Sequence, residues 1–97
     1  MDQPNQQQQV QVKLPDDILK GAYSNNMQVM HTKEEFVMEF INIFPPQGSL
    51  VSRVFTSPGH MKRIQRALEE NIKIYEKQYG KIEEAEAPNS RIGFKTE

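Results

Sequence analysis

Apolar and polar residues alternate along the first half of the chain, which is typical of β-strands. The clearest alternation covers residues 35–44 and ends at Pro45-Pro46. Its phenylalanines, isoleucines and valine favour a strand, because β-branched and aromatic side chains fit a pleated sheet. A helix is the competing interpretation, since Phe36, Phe40 and Ile43 also share one helical face. We predict a strand here.

Three further segments carry strand patterns: residues 10–14, 22–31 and 50–56. Residues 16–21 read as a turn or a single helical turn closed by glycine, and residues 45–49 have turn composition. A turn centred near Pro46 pairs residues 35–44 with 50–56 in antiparallel register. The opposed pairs are then Phe40 with Ser52, Met38 with Val54, and Glu39 with Arg53.

Residues 58–79 carry the pattern of an amphipathic helix. Ser57 is a favourable N-cap, Pro58 suits the first helical position, and Gly80 supplies a C-terminal stop. Apolar residues recur every three or four positions: Met61, Ile64, Leu68, Ile72, Tyr75 and Tyr79. The predicted fold class is α+β, an antiparallel sheet of three to four strands followed by one long C-terminal helix packed on one face.

The two faces of this sheet differ in their side chains. The even-numbered side chains of residues 35–44 lie on one face, the even face, and the odd-numbered ones lie on the other, the odd face. The even face carries Phe36, Met38, Phe40, Leu50 and Val54, and we expect it to take the helix. The odd face is also largely apolar, and such a patch rarely stays exposed on a monomer. We therefore predict a homo-oligomer interface formed by Val37, Glu39, Ile41, Ile43, Val51, Arg53 and Phe55. The alternative cover for this face is the N-terminal strand or the late apolar residues Ile92 and Phe94.

Composition divides the chain into one domain and two tails. Residues 1–9 contain five glutamines and are expected to form a disordered Gln-rich arm. Residues 10–82 are expected to form a single α+β domain, and residues 83–97 a mobile acidic tail. The N-terminus has no basic segment followed by an apolar one, so we predict a cytoplasmic protein.

The side-chain inventory argues against catalysis. The chain contains no cysteine, which excludes disulfides, thiolate zinc sites and cysteine nucleophiles. His31 and His60 are far apart and lack metal-ligand spacing, and no phosphate-binding loop is present. The serines lack a histidine base and an oxyanion framework. We predict that the protein is not an enzyme and uses no cofactor or metal.

The remaining function classes are binding functions. The two-faced sheet and five methionines favour a non-catalytic, oligomeric protein-binding module, holdase-like or an assembly adaptor, because methionine adapts to varied partners. The alternative is a nucleic-acid-binding protein that uses Lys62, Arg63 and Arg66. A net charge of −1 gives no global attraction for nucleic acid. No apolar run reaches the roughly 20 residues of a membrane span, so the expected partners are further copies of the chain and other proteins.

The segment from Leu14 to Ile82 resembles a small bacterial family of domains of unknown function. The matching motifs are Gly21-Ala22-Tyr23-Ser24-Asn25, Glu35-Phe36-Val37-Met38-Glu39-Phe40, Ser52-Arg53-Val54, Ser57-Pro58, and Ala67-Leu68-Glu69-Glu70-Asn71-Ile72 with Tyr75-Glu76, Tyr79-Gly80 and Ile82. The resemblance implies membership and no activity. In element order alone, strands followed by a long helix, the chain is also similar to the export chaperone SecB, a cytoplasmic tetramer that holds unfolded chains.

Overall fold

The computed structural model describes residues 8–86 and Gly93. Its elements are α1 (Asp16–Leu19), β1 (Asn26–His31), β2 (Phe36–Phe44), β3 (Gln47–Thr56) and α2 (Pro58–Tyr79). The strands form one antiparallel sheet in the order β1-β2-β3. The predicted α+β class is confirmed, and residues 35–44 belong to a strand rather than to a helix.

The hairpin of β2 and β3 has the register predicted from the sequence over its outer half. Phe40 lies opposite Ser52, Met38 opposite Val54, and Glu39 opposite Arg53. The turn is shorter than expected, because β3 already begins at Gln47. The three predicted pairs are therefore confirmed, although the turn from which they were derived is shorter than expected.

A β-bulge at Val51 reconciles the short turn with the predicted pairing. The ladder passes from Phe40 opposite Ser52 to Ile41 opposite Leu50, so Val51 is the additional residue on β3. A one-residue shift reverses the face of every side chain beyond it. Leu50 consequently lies on the odd face with Ile41, and its predicted place on the even face is wrong.

The side chain of Asn25 extends the sheet just before β1 begins. Its Oδ1 accepts a 2.8 Å hydrogen bond from the Ile43 N–H, and its Nδ2 donates a 2.9 Å bond to the Ile43 carbonyl. Next to it, the Ser24 hydroxyl donates to the carbonyls of Asn26 and Ile41. The Gly21–Asn25 motif thus satisfies the backbone of β2 where β1 no longer reaches.

The segment 10–14 forms no strand, so the predicted fourth strand is wrong. Its apolar residues Val10, Val12 and Leu14 are exposed. A strand needs a neighbouring edge for its backbone N–H and C=O groups, and this segment pairs with none of the described residues. The arm at 1–9 and the tail at 83–97 lie mostly outside the described residues. Ile92 and Phe94, the alternative cover for the odd face, lie wholly outside them.

The helix α2 has the predicted bounds and caps. The Ser57 hydroxyl accepts a 3.1 Å hydrogen bond from the His60 N–H, and Pro58 occupies the first turn. Gly80 ends the helix at φ 100°, a left-handed region that favours glycine. Its N–H donates to the Glu76 carbonyl at 2.9 Å.

The position of α2 differs from the expectation that the helix packs on the even face. None of its residues is buried, and Met61 and Ile64 are its half-buried apolar residues. Ser57 alone connects β3 to the helix, in an extended conformation. Such a connection is shorter than the usual two to six residues. We infer that it leaves the chain no room to reverse and lay the helix along the sheet.

The core of the described chain is correspondingly small. Its buried apolar residues are Met38, Ile41 and Ile43, all on β2. Domains of this size commonly need additional burial from partners to reach several kcal/mol of stability. The central strand is well covered, whereas most other apolar side chains are not.

The double hydrogen bond of Asn25 generates a stability prediction. We expect Asn25→Ala to lower the free energy of unfolding by about 2–3 kcal/mol, since the Ile43 N–H and C=O would both lose their partner. Asn25→Asp retains the acceptor and removes the donor, so its loss should be smaller. Urea titration followed by circular dichroism measures both. Equal stability of wild type and Asn25→Ala would contradict the role assigned to this side chain.

Candidate binding surfaces

An ion pair between β2 and β3 organises the odd face. Arg53 Nη2 lies 2.7 Å from Glu39 Oε2, and Arg53 Nε donates a 2.8 Å hydrogen bond to the same oxygen. The Glu39 side chain is 2% exposed, whereas that of Arg53 is 50% exposed. The sheet therefore holds a carboxylate inside the chain and its countercharge at the surface.

The second carboxylate oxygen of Glu39 makes no hydrogen bond to any described residue. Glu39 Oε1 is buried, and Gln28 of β1 is the residue opposite Glu39 on its other side. A buried acceptor without a donor is unfavourable by about 1–3 kcal/mol. Arg53 is thus the side chain that compensates the burial of this charge.

The residues predicted to form the oligomer interface divide into two groups. Glu39, Ile41 and Ile43 are buried within the single chain, so they belong to its own core. Val37 and Val51 are half-buried, while Arg53 and Phe55 are accessible. The odd-face interface stays a prediction, and its accessible part is on β3.

The even face is more open than the sequence suggested. Met27 and Val29 of β1 are each 46% exposed, and Val54 of β3 is 39% exposed. They flank Phe40 and Met38, their partners across the ladder. Because α2 does not cover this face, an apolar surface that includes Met27, Val29 and Val54 stays accessible, while Met38 is buried among them.

A shallow depression marks one end of the even face. It is lined by Ala22, Tyr23, Ser24, Asn25, Asn26, Met27 and Phe40. Tyr23 is exposed beside it, and the lining combines apolar side chains with the polar groups of the Gly21–Asn25 motif. The depression is open and contains no cluster of titratable groups that would suggest catalysis.

A second apolar surface runs along α2. The helix stripe, as we call it, consists of Met61, Ile64, Leu68, Ile72, Tyr75 and Tyr79. These residues lie within an arc of about 80° at roughly 100° per residue. From Leu68 onward they are exposed, and Tyr75 and Tyr79 contact each other with ring centroids 5.0 Å apart.

The basic residues of the alternative function lie away from the helix stripe. Lys62, Arg63 and Arg66 are exposed in the first half of α2. Within residues 8–86, none of the three forms an ion pair. The exposed aromatic rings of α2 are Tyr75 and Tyr79 near its other end, so they provide no base-stacking platform beside the basic residues.

Within the described residues, no group of three or more histidine, aspartate or glutamate side chains is placed to hold a metal ion. None of the helices in this part of the chain is long and apolar enough to cross a membrane.

Comparison with known families identifies the family of this chain. Residues 1–84 match the model of a family described as Protein of unknown function (DUF3467). The chain belongs to this family. No curated protein matches the chain, and no solved structure matches it. The family description assigns no activity to its members.

Sequence reasoning identified the ion pair and the helix stripe but missed the open even face. The missed signal is the connection between β3 and α2, because Thr56-Ser57-Pro58 leaves one residue between strand and helix. A one-residue connection would have argued against a helix folded back on its own sheet. The helix stripe then becomes a surface that needs another partner.

The ion pair generates a double-mutant prediction. Arg53→Met should lower the free energy of unfolding by about 3–5 kcal/mol, because it strands the buried Glu39 carboxylate. Arg53→Met combined with Glu39→Met should recover most of that loss, since neither charge remains. Arg63→Met, at an exposed arginine of α2, is the matched control and should change stability little. Denaturant titration of the wild type, both single variants of the pair and the double variant gives the coupling energy.

A coupling energy near zero would contradict this account. It would mean that the pair behaves as an exposed cross-strand contact, which contributes under about 1 kcal/mol. An equally large loss for Arg63→Met would show that the effect does not depend on Glu39.

Proposed function

We propose that this chain is a non-catalytic, oligomeric protein-binding module of the holdase or assembly-adaptor type. The observation that carries the proposal is that few apolar side chains are buried while many are accessible to solvent. Three apolar residues are buried in the described chain, whereas the even face and the helix stripe are both accessible. Surfaces of this kind usually mark interaction sites.

The even face has the chemistry of a surface for other proteins. Met27, Val29 and Val54 present flexible or branched apolar groups. In the ladder, Met27 lies opposite Phe40, and Met38 lies between Val29 and Val54. Methionine side chains adapt their shape to different apolar partners. We infer that this face binds apolar segments of partially unfolded or unassembled proteins. The similarity of element order to SecB motivates the holdase form of this proposal.

The alternative is binding of nucleic acid through Lys62, Arg63 and Arg66. The observation in its favour is that these side chains are exposed and unpaired among the described residues. Phosphate binding by such residues weakens steeply with salt, whereas binding to an apolar face does not. Salt dependence therefore separates the two functions.

Two methionines of β1 provide a matched test. Met27 on the even face and Met30 on the odd face are 46% and 48% exposed. Met27→Asp should weaken the binding of a fluorescent, permanently unfolded protein by at least about tenfold, because a charge enters the apolar contact. Met30→Asp should bind nearly as well as the wild type. Fluorescence anisotropy measures the affinities, and suppression of aggregation of a denatured protein measures holdase activity.

Equal losses for the two variants, or no binding by the wild type, would contradict the role of the even face. The same titrations at about 50 and 200 mM salt should give similar affinities for the unfolded protein. Binding of an oligonucleotide that falls steeply with salt and is lost in Arg66→Glu would instead favour the alternative function.

A further inference from the structure

The helix stripe has a symmetric spacing along the chain. Met61, Ile64 and Leu68 lie ten, seven and three residues before Asn71. Ile82, Tyr79 and Tyr75 lie ten, seven and three residues after Ile72. Apart from Ile72, whose mirror position is Asn71, the stripe and the apolar residue just beyond the helix therefore have the same spacing in both directions about a point between Asn71 and Ile72.

A stripe with this symmetry is complementary to itself when two helices run in opposite directions. A two-fold axis places the same surface of both chains in contact, so residue i of one chain meets residue j of the other and j meets i. We propose that α2 pairs antiparallel with α2 of a second copy, with the axis between Asn71 and Ile72. This inference rests on the oligomeric part of the proposed function and specifies its interface.

The contacts follow directly from the spacing. Leu68 meets Tyr75 of the second copy, and Ile64 meets its Tyr79. Met61 lies beyond the level of Tyr79, at the end of the helix of the second copy. Leu68 and Ile64 of the first half therefore each meet an aromatic residue of the second half.

The available area approaches that of a small specific interface. Leu68, Ile72, Tyr75, Tyr79 and Ile82 are between 43% and 68% exposed. At roughly 150–250 Å² for a fully exposed large side chain, these fractions amount to on the order of 500 Å² per chain. The smallest standard interfaces use about 600 Å² from each partner.

Asn71 gives the pair a preferred register. Its amide donates a weak 3.3 Å hydrogen bond to the Ala67 carbonyl, at the exposed surface of α2. At the two-fold axis the two Asn71 amides are neighbours and satisfy each other. A slip by one helical turn would place them against apolar residues, and a polar residue in such a position selects register.

Spin labels on the polar side of α2 test whether two copies of the helix pair and whether they run in opposite directions. The chain has no cysteine, so a single cysteine carries each label, at Lys62, Arg66 or Lys77. Arg66 lies five residues before Asn71 and Lys77 five residues after Ile72. Both labels should therefore be separated from their copies by the same axial distance, about 16 Å at 1.5 Å per residue. The labels at Lys62 should be separated axially by about 28 Å.

Pulsed electron-electron double resonance measures the full distance between the labels, which combines the axial separation with the lateral separation of the two helices. Distances at 62, 66 and 77 that contain the axial separations of an antiparallel pair support the inference. Distances without an axial component at all three positions would indicate a parallel pair and overturn the inference. An oligomeric mass without these axial separations would contradict the antiparallel pair but not the proposed oligomeric function. A monomeric mass at every concentration would contradict both proposals.

A charge exchange across the axis provides an independent check. Leu68→Lys and Tyr75→Glu should each weaken self-association at least about tenfold, and neither should unfold the chain, since both side chains are exposed in it. Mixing the two variants should restore a heterodimer, because the lysine introduced in one chain then meets the glutamate introduced in the other. Absence of a heterodimer by light scattering, with both variants folded, would overturn the antiparallel contact.

Discussion

The connection between β3 and α2 determines what the rest of the molecule leaves uncovered. Ser57 is extended, its hydroxyl caps the helix through the His60 N–H, and Pro58 fixes its own φ and restricts Ser57 before it. We infer that these three constraints set the direction of α2 as it leaves the sheet. The helix leaves the even face uncovered, and the two apolar surfaces that would have covered each other stay separate. The small core on β2 is a direct consequence.

Local sequence patterns predicted the hairpin strands and the helix. The bulge and the absence of a strand at residues 10–14 depend on tertiary contacts. The register of Glu39 with Arg53 and the bounds of α2 followed from neighbouring residues, namely the alternation, the proline-rich turn and the two helix caps. The bulge at Val51 could not be predicted, because it depends on how the short turn is reconciled with the side-chain faces. The alternation in residues 10–14 was misleading, since alternation describes a side-chain pattern and not the presence of a pairing edge.

The candidate surfaces could likewise be predicted only in part. The apolar content of both sheet faces could be predicted from β2 and β3, but the exposure of each face could not. Glu39, Ile41 and Ile43 are buried in the chain itself, while Met27 and Val29 are accessible. The ion pair on one face and the accessible apolar surface on the other motivate the proposed binding function, and the helix stripe motivates the proposed self-association.

The central claim is that a second copy completes the fold. Its most direct test is urea unfolding of the wild-type chain at protein concentrations from about 1 to 100 µM. If the native state is a dimer, each tenfold rise adds about 1.4 kcal/mol of apparent stability and moves the midpoint by roughly 0.5 M urea. A midpoint that stays constant over this hundredfold range would show that the single chain is stable alone and would contradict the account.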